Sequence, residues 1–219
     1  MRAAQRLYEG MEVHGYGQIG LITYMRTDSL RIADEAAAAA KTFIGKTWGE
    51  NYVCNKKRVW KSRSATAAQD AHEAIRPTSL ALPPAALKGV LKRDQLRLYT
   101  LIWNRFIASQ MAPQIAQSTN VTLQCGEFTL KASGLHILFD GFTIMQPAKD
   151  EKKDEEEAAI IPPLKKGDSV LNVKADGNQH FTSPPPRYTE ASLIKVLEEK
   201  GIGRPSTYLS LIHISEPTR

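Results

Sequence analysis

A chain of 219 residues, 42% hydrophobic and 24% charged, has the make-up of a folded protein and enough length for one large domain or two to three small ones. Its longest apolar stretches fall far short of the roughly 18 residues a membrane span needs, and no apolar leader follows Met1, so the composition argues for a cytoplasmic protein with no membrane partner. Cys54 and Cys125 lie far apart with no Cys or His at ligand spacing, which fits a reduced compartment and excludes a zinc site, while a formal net charge of +6 suits a polyanionic partner without selecting one.

The first nine residues read as a helix with Ala4, Leu7 and Tyr8 on one face. It opens without a cap or a loose lead-in, which predicts a chain that begins inside a larger fold. Residues 10–20 read as a glycine-rich connector, and an apolar run then leads from Leu21 into Tyr24, Met25, Arg26, Thr27, Asp28 and Ser29. Asp28 or Ser29 can accept from the first free amides of a helix through residues 36–40, with an expected stop near Gly45. Residues 46–68 are polar, and Lys56, Lys57, Arg58, Lys61 and Arg63 cluster around Trp60. That cluster reads either as a solvated loop or as a surface that pairs phosphate contacts with base stacking, as single-strand binders do.

A second helix is predicted over residues 94–111, with Tyr99, Ile102, Trp103 and Phe106 at core spacing and Pro113 as its terminator. The period then changes to two: Val121, Leu123 and Cys125 alternate with polar residues, as do Phe128, Leu130 and Ala132. Residues 137–142 and 169–173 look like further strands, and the unbroken charge run at 150–157 reads as a solvated loop. A last helix is capped by Thr189, turns Leu193, Val196 and Leu197 inward, and stops at Gly201. The order helical, β, helical predicts an α+β class in three parts: a mainly helical domain over 1–113, a β-rich segment over 114–180, and the start of another helical domain over 181–219.

The stretch that carries chemistry is Ile22-Thr23-Tyr24-Met25-Arg26-Thr27-Asp28-Ser29. A tyrosine can attack a phosphodiester and keep its energy in a phosphotyrosine, so that resealing needs no ATP. Arg26, two residues on, can offer a bidentate fork to the phosphate as charge develops. Taken alone, a Tyr-x-Arg pair is a weak signal, more often an amphipathic tyrosine beside a surface arginine.

The longer block Gly20-Leu21-Ile22-Thr23-Tyr24-Met25-Arg26-Thr27-Asp28-Ser29 resembles, without a gap, the active-site signature of type IA DNA topoisomerases. Met25 is similar to the bacterial topoisomerase I branch, whose relatives elsewhere carry proline or histidine there. Ala71-His72-Glu73-Ala74-Ile75-Arg76-Pro77-Thr78 resembles the histidine motif of the same domain. Arg187-Tyr188-Thr189-Glu190-Ala191-Ser192-Leu193, continuing to Gly203-Arg204-Pro205-Ser206-Thr207-Tyr208, resembles a DNA-contacting segment of the neighbouring domain.

The resemblance implies that Tyr24 is the nucleophile and becomes linked to the 5′-phosphate of a cut single strand. Arg26 would hold and polarise that phosphate, and His72 would orient it or assist proton movement. Arg204 and Thr207 would contact the bound strand; the alternative is a helix-terminating loop in which Pro205 only fixes the backbone. The β-rich segment would be part of an arch, and the domains would form a ring that opens after cleavage. The partner would be a single-stranded region of negatively supercoiled DNA.

The family's Mg²⁺ sits on an acidic cluster of a Toprim domain, a pattern that this chain lacks; its metal ligands are therefore expected elsewhere in the same polypeptide. The acidic residues of 150–157 are interleaved with lysines and are no substitute. After Tyr208 the resemblance ends, and residues 209–219 are expected to be a non-native tail. A fragment lacking the Toprim domain is expected to be inactive alone. Two other classes stand beside this one: a nucleic-acid-binding remnant that never cleaves, and another tyrosine transesterase such as a recombinase or relaxase. The latter needs several basic residues or a histidine cluster around its tyrosine, and neither is visible here.

Overall fold

The computed structural model describes residues 2–25, 29–56, 58, 60, 73–146, 161–162, 164–171, 177–203 and 207–208. Helix α1 (Arg2–Glu9) sends only Leu7 fully into the core; Ala4 is half-buried, and Tyr8 points outward instead of inward. The expected connector is a small antiparallel hairpin of β1 (Met11–Val13) and β2 (Gly17–Ile19), with Met11 opposite Ile19. Its turn needs Gly15 at φ 81° and Gly17 at φ 69°, angles that a side chain would oppose.

Helix α2 (Asp34–Trp48) starts later than the sequence suggested. Ala33 holds the N-cap position with no side-chain cap, and the Ser29 hydroxyl instead accepts from the Arg31 amide at 3.2 Å in a turn ahead of the helix. Asp28, the other expected cap, lies outside the described residues. The helix also runs through Gly45, where a Cβ would meet the end of the flexible Glu50 side chain at 2.7 Å. The stop is Gly49, at φ 103°.

Helix α3 (Arg93–Gln110) begins where the Gln95 side chain accepts from the Lys92 amide at 3.0 Å. Tyr99, Trp103, Phe106 and Ile107 are buried along its inner face, and Trp103 meets Phe43 of α2 edge-on at 5.8 Å. The Tyr99 hydroxyl donates to the Leu82 carbonyl at 2.8 Å, and burial pushes its pKa far up. These side chains join Leu7, Val13, Leu21, Ile22, Ile44, Leu87 and Met111 in one core.

Beyond α3 the chain leaves this core as a long antiparallel ribbon. Strands β3 (Ile115–Cys125) and β4 (Phe128–Phe139) pair along their length, closed by a tight turn with Gly126 at φ 58°. The short strands suggested by alternation are parts of these two. The stretch at 137–142 divides, with β4 ending at Phe139 and a 3-10 helix following at Gly141–Met145. Phe128 and Leu138 are 73% and 59% exposed.

The ribbon is fixed at its base. The Phe142 amide donates to the Ala112 carbonyl at 2.9 Å, and the Tyr52 hydroxyl donates to Asp140 at 2.7 Å. That bond to Asp140, followed by partial burial and the carboxylate charge, raises the Tyr52 pKa. Residues 169–171 form no strand, while 172 and 173, like the charge run at 150–157, lie outside the described residues. Helix α4 (Glu190–Glu199) starts as expected: the Thr189 hydroxyl accepts from the Ser192 amide at 3.2 Å and the Ser192 hydroxyl from the Thr189 amide at 2.8 Å. Leu193, Val196 and Leu197 are half-buried. Helices and antiparallel strands thus segregate along the chain, an α+β arrangement. Among the described residues no helix is long and apolar enough to cross a membrane.

Candidate active site

The chain leading to Tyr24 is held from both sides. Leu21 and Ile22 are each 1% exposed, because the Leu21 amide donates to the Leu7 carbonyl of α1 at 2.7 Å and draws the segment into the core. The approach is so close that a Cβ on Gly20 would lie 2.6 Å from the Tyr8 carbonyl oxygen, so position 20 requires glycine. On the other side the segment runs antiparallel to 76–78, with Ile22 opposite Pro77. The Thr78 amide donates to the Leu21 carbonyl at 3.1 Å, and the Thr23 amide to the Arg76 carbonyl at 3.0 Å. Side chains reinforce this pairing. The Thr78 hydroxyl donates to the Gly20 carbonyl at 2.6 Å. The Thr23 hydroxyl donates to the Ala74 carbonyl at 2.8 Å while accepting from the Arg76 amide at 2.9 Å.

Tyr24 follows directly and leaves this pairing. It is 50% exposed, and its ring meets that of Tyr8 edge-on, with centroids 5.2 Å apart and planes at 61°. The cross-strand pairing of 21–23 thus leads directly to a residue whose side chain is half-exposed.

The segment 73–78 also grips the chain beyond Tyr24. The Ala74 amide donates to the Arg31 carbonyl at 2.7 Å. Glu73 accepts from the Ala33 amide at 2.9 Å and takes a two-pronged grip from Arg76, at 2.8 Å from Nε and 3.1 Å from the terminal nitrogen. Burial alone would raise the Glu73 pKa. The Arg76 fork, the Ala33 amide and the charges of Arg76 and Arg31 outweigh it and hold the carboxyl below its ordinary value. The two blocks singled out in the sequence, 20–29 and 71–78, are thus joined through their described residues.

Arg26, His72 and Arg204 lie outside the described residues. Thr207 is exposed, next to Tyr208, which is only 9% exposed. Sequence reasoning gave no role to Tyr8, Thr23, Glu73 or Arg76. The tyrosine in α1 carried no distinguishing signal, whereas the other three lay inside the recognised blocks. Among the described residues no group of three His, Cys, Asp or Glu side chains is placed to hold a metal ion.

A family model described as "DNA topoisomerase" matches residues 1–215, a span that includes part of the tail on which the expectation of foreign sequence fell. The solved structure of full-length topoisomerase I from Thermotoga maritima is similar at 40% sequence identity with a TM-score of 0.81, over 98% of this chain. The matched region is 33% of that protein, so the chain spans about a third of its length. A match across nearly the whole chain, joined to the block around Tyr24, shows that the chain belongs to the bacterial type IA DNA topoisomerase family.

Proposed function

We propose that this chain supplies the nucleophile of a strand-cleaving and resealing reaction, with Tyr24 as the attacking residue. The observation that carries this reading is the half-exposed Tyr24 at the end of a segment pinned to both α1 and 74–78. A nucleophile must reach its phosphate in a fixed geometry, which favours side chains mounted on restrained backbone.

In this reading the Tyr24 oxygen attacks a phosphodiester of an unpaired strand. A phosphorus–oxygen bond forms to tyrosine as its hydroxyl gives up a proton, the bond to the 3′ oxygen breaks, and that oxygen takes up a proton and leaves as a 3′ hydroxyl. The 5′ phosphate stays on Tyr24, and attack by the same hydroxyl reverses the step, so no ATP is consumed. Arg26 would balance charge on the phosphate, and His72 would orient it or assist the proton's movement. Arg204 and Thr207 would hold the bound strand. The division at about 113 and 180 would separate the tyrosine domain, an arch segment and the start of a DNA-binding domain. Mg²⁺ would be held by a Toprim domain elsewhere in the polypeptide. The whole enzyme would relax negative supercoils, and the 219-residue chain by itself would not.

The test places Tyr24→Phe in the full-length polypeptide and incubates it with an end-labelled single-stranded oligonucleotide before denaturation. The parent is expected to carry the label of the fragment downstream of the cut as a covalent adduct, and the variant to bind the oligonucleotide without forming one. An adduct formed by the phenylalanine variant would show that another residue attacks. Equal behaviour without any adduct would favour a binding remnant.

A further inference from the structure

The basic cluster around Trp60 had two readings in the sequence, and of its members the structure describes Arg58 and Trp60. Trp60 is 47% exposed, and the Arg58 guanidinium lies 5.9 Å from its ring centroid. Both residues border a groove of about 590 Å³, within the range of sites that hold small ligands. Its apolar walls come from Ile32, Ile75, Phe106 and Phe142. Arg105 and Ser109 add polar groups from α3, and the described lining includes no carboxylate. An aromatic face, flat apolar walls and two guanidinium groups match a flat heteroaromatic ring that carries phosphate.

The groove shares its wall with the tyrosine site. Ile75 sits between Ala74 and Arg76, the two residues that bond the Thr23 hydroxyl. Ile32 lies between Arg31 and Ala33, which are tied to 73–74. We propose that this groove is a subsite for an unpaired DNA base, stacked on Trp60 with its phosphate toward Arg105. The proposal rests on the reading of the chain as a strand-cleaving enzyme and adds to it a place where the strand is held. Stacking of this kind tolerates any base, because every base has a π face, and it adds affinity without sequence preference.

The test uses the 219-residue chain and a ten-nucleotide oligothymidine. The chain has three tryptophans. Trp103 is 3% exposed and Trp48 packs against the core, so stacking should register as quenching of the exposed Trp60. Binding is measured in parallel by the anisotropy of a labelled oligonucleotide. We expect quenching on saturation, an affinity at least about fivefold weaker for Trp60→Ala, and near-parental affinity for Trp60→Phe, which keeps a ring. Arg105→Ala should lower the salt dependence of binding by about one phosphate contact. Inorganic phosphate should leave the fluorescence unchanged, since it has no ring to stack.

Unaltered fluorescence at saturation, or equal affinity of the alanine variant, would overturn the subsite. Comparable losses for alanine and phenylalanine would overturn it too, because the ring would not be what binds. Tyr24→Phe should bind as the parent does. A failure of Tyr24 as nucleophile would therefore show in the adduct assay alone, and a failure of the groove in this one alone.

Discussion

Replacing Thr23 with valine keeps the side-chain shape and removes one oxygen. That oxygen is both donor and acceptor: it donates to the Ala74 carbonyl at 2.8 Å and accepts from the Arg76 amide at 2.9 Å. Each neutral hydrogen bond contributes about 1 kcal/mol net, and a polar group left without its partner costs about 1–3 kcal/mol when buried. The site is half-buried, so water can reach part of it, which places the expected loss near 2 kcal/mol, toward the lower end of the combined range. For a chain of this size each kcal/mol lowers Tm by about 2–4 °C, giving a fall of about 4–8 °C. Valine's preference for extended backbone works in the opposite direction and cannot be the source of a loss. Thr23→Ser, which retains the hydroxyl, should stay within about 1 kcal/mol of the parent. Urea unfolding of the three proteins, followed by circular dichroism, measures the differences. A valine variant within about 0.5 kcal/mol of the parent would refute the claim that this hydroxyl ties the Tyr24 segment to 74–76.

Substitutions at three further positions probe the same region. Because the Glu73 carboxyl is held below its ordinary pKa of 4.5, its stabilisation is present above that value and is lost as pH falls through the lowered folded-state value. Glu73→Gln should therefore be less stable than the parent at neutral pH, and the gap should narrow in acid below about pH 4.5; melting temperatures that stay parallel across that range would contradict the charge argument. Gly20→Ala sets a Cβ 2.6 Å from the Tyr8 carbonyl oxygen, and a backbone shift costing about 1–3 kcal/mol is expected in the same unfolding assay. Tyr8→Ala removes the edge-on ring beside Tyr24 and should lower adduct yield in the full-length polypeptide while costing less than about 1.5 kcal/mol of stability; Tyr8→Phe, which keeps the ring, should restore the yield.

What the sequence disclosed follows from the range of each signal. Helix α3 was legible to within a residue because Tyr99, Trp103 and Phe106 repeat at helical spacing and a proline follows. Helix α2 was misread at both ends, since its start is tied to Glu73, forty residues away, and its left-handed stop falls at Gly49, beyond Gly45. The β1–β2 hairpin was missed because three-residue strands give almost no alternation to count. For the ribbon the period of two was right, yet it could not disclose whether either face is covered. Within the site, Tyr24 was found through a contiguous block. Its ring neighbour Tyr8 belongs to a helix whose spacing suggested an inward face, and only the close passage of Gly20 beneath that helix brings the two rings together.

The hydrogen bonds around 20–24 also bear on how a tyrosine could stay attached to a strand under load. In the proposed reaction the strand hangs from the Tyr24 side chain, so any pull reaches the fold through the backbone at that residue. On the N-terminal side the pull meets the pairing of Leu21 and Thr23 with Arg76 and Thr78. Beyond 26–28 it meets the bonds from Ala74 to Arg31 and from Ala33 to Glu73. Both routes converge on the single segment 73–78, whose Pro77 is buried and whose Arg76 and Glu73 grip each other. Load applied at Tyr24 is therefore shared by bonds on both of its flanks instead of peeling one strand from its end. Such an anchor tolerates a half-exposed side chain because the rigidity lies in the backbone. The same arrangement leaves the ring half-exposed, with Tyr8 bordering it on one side.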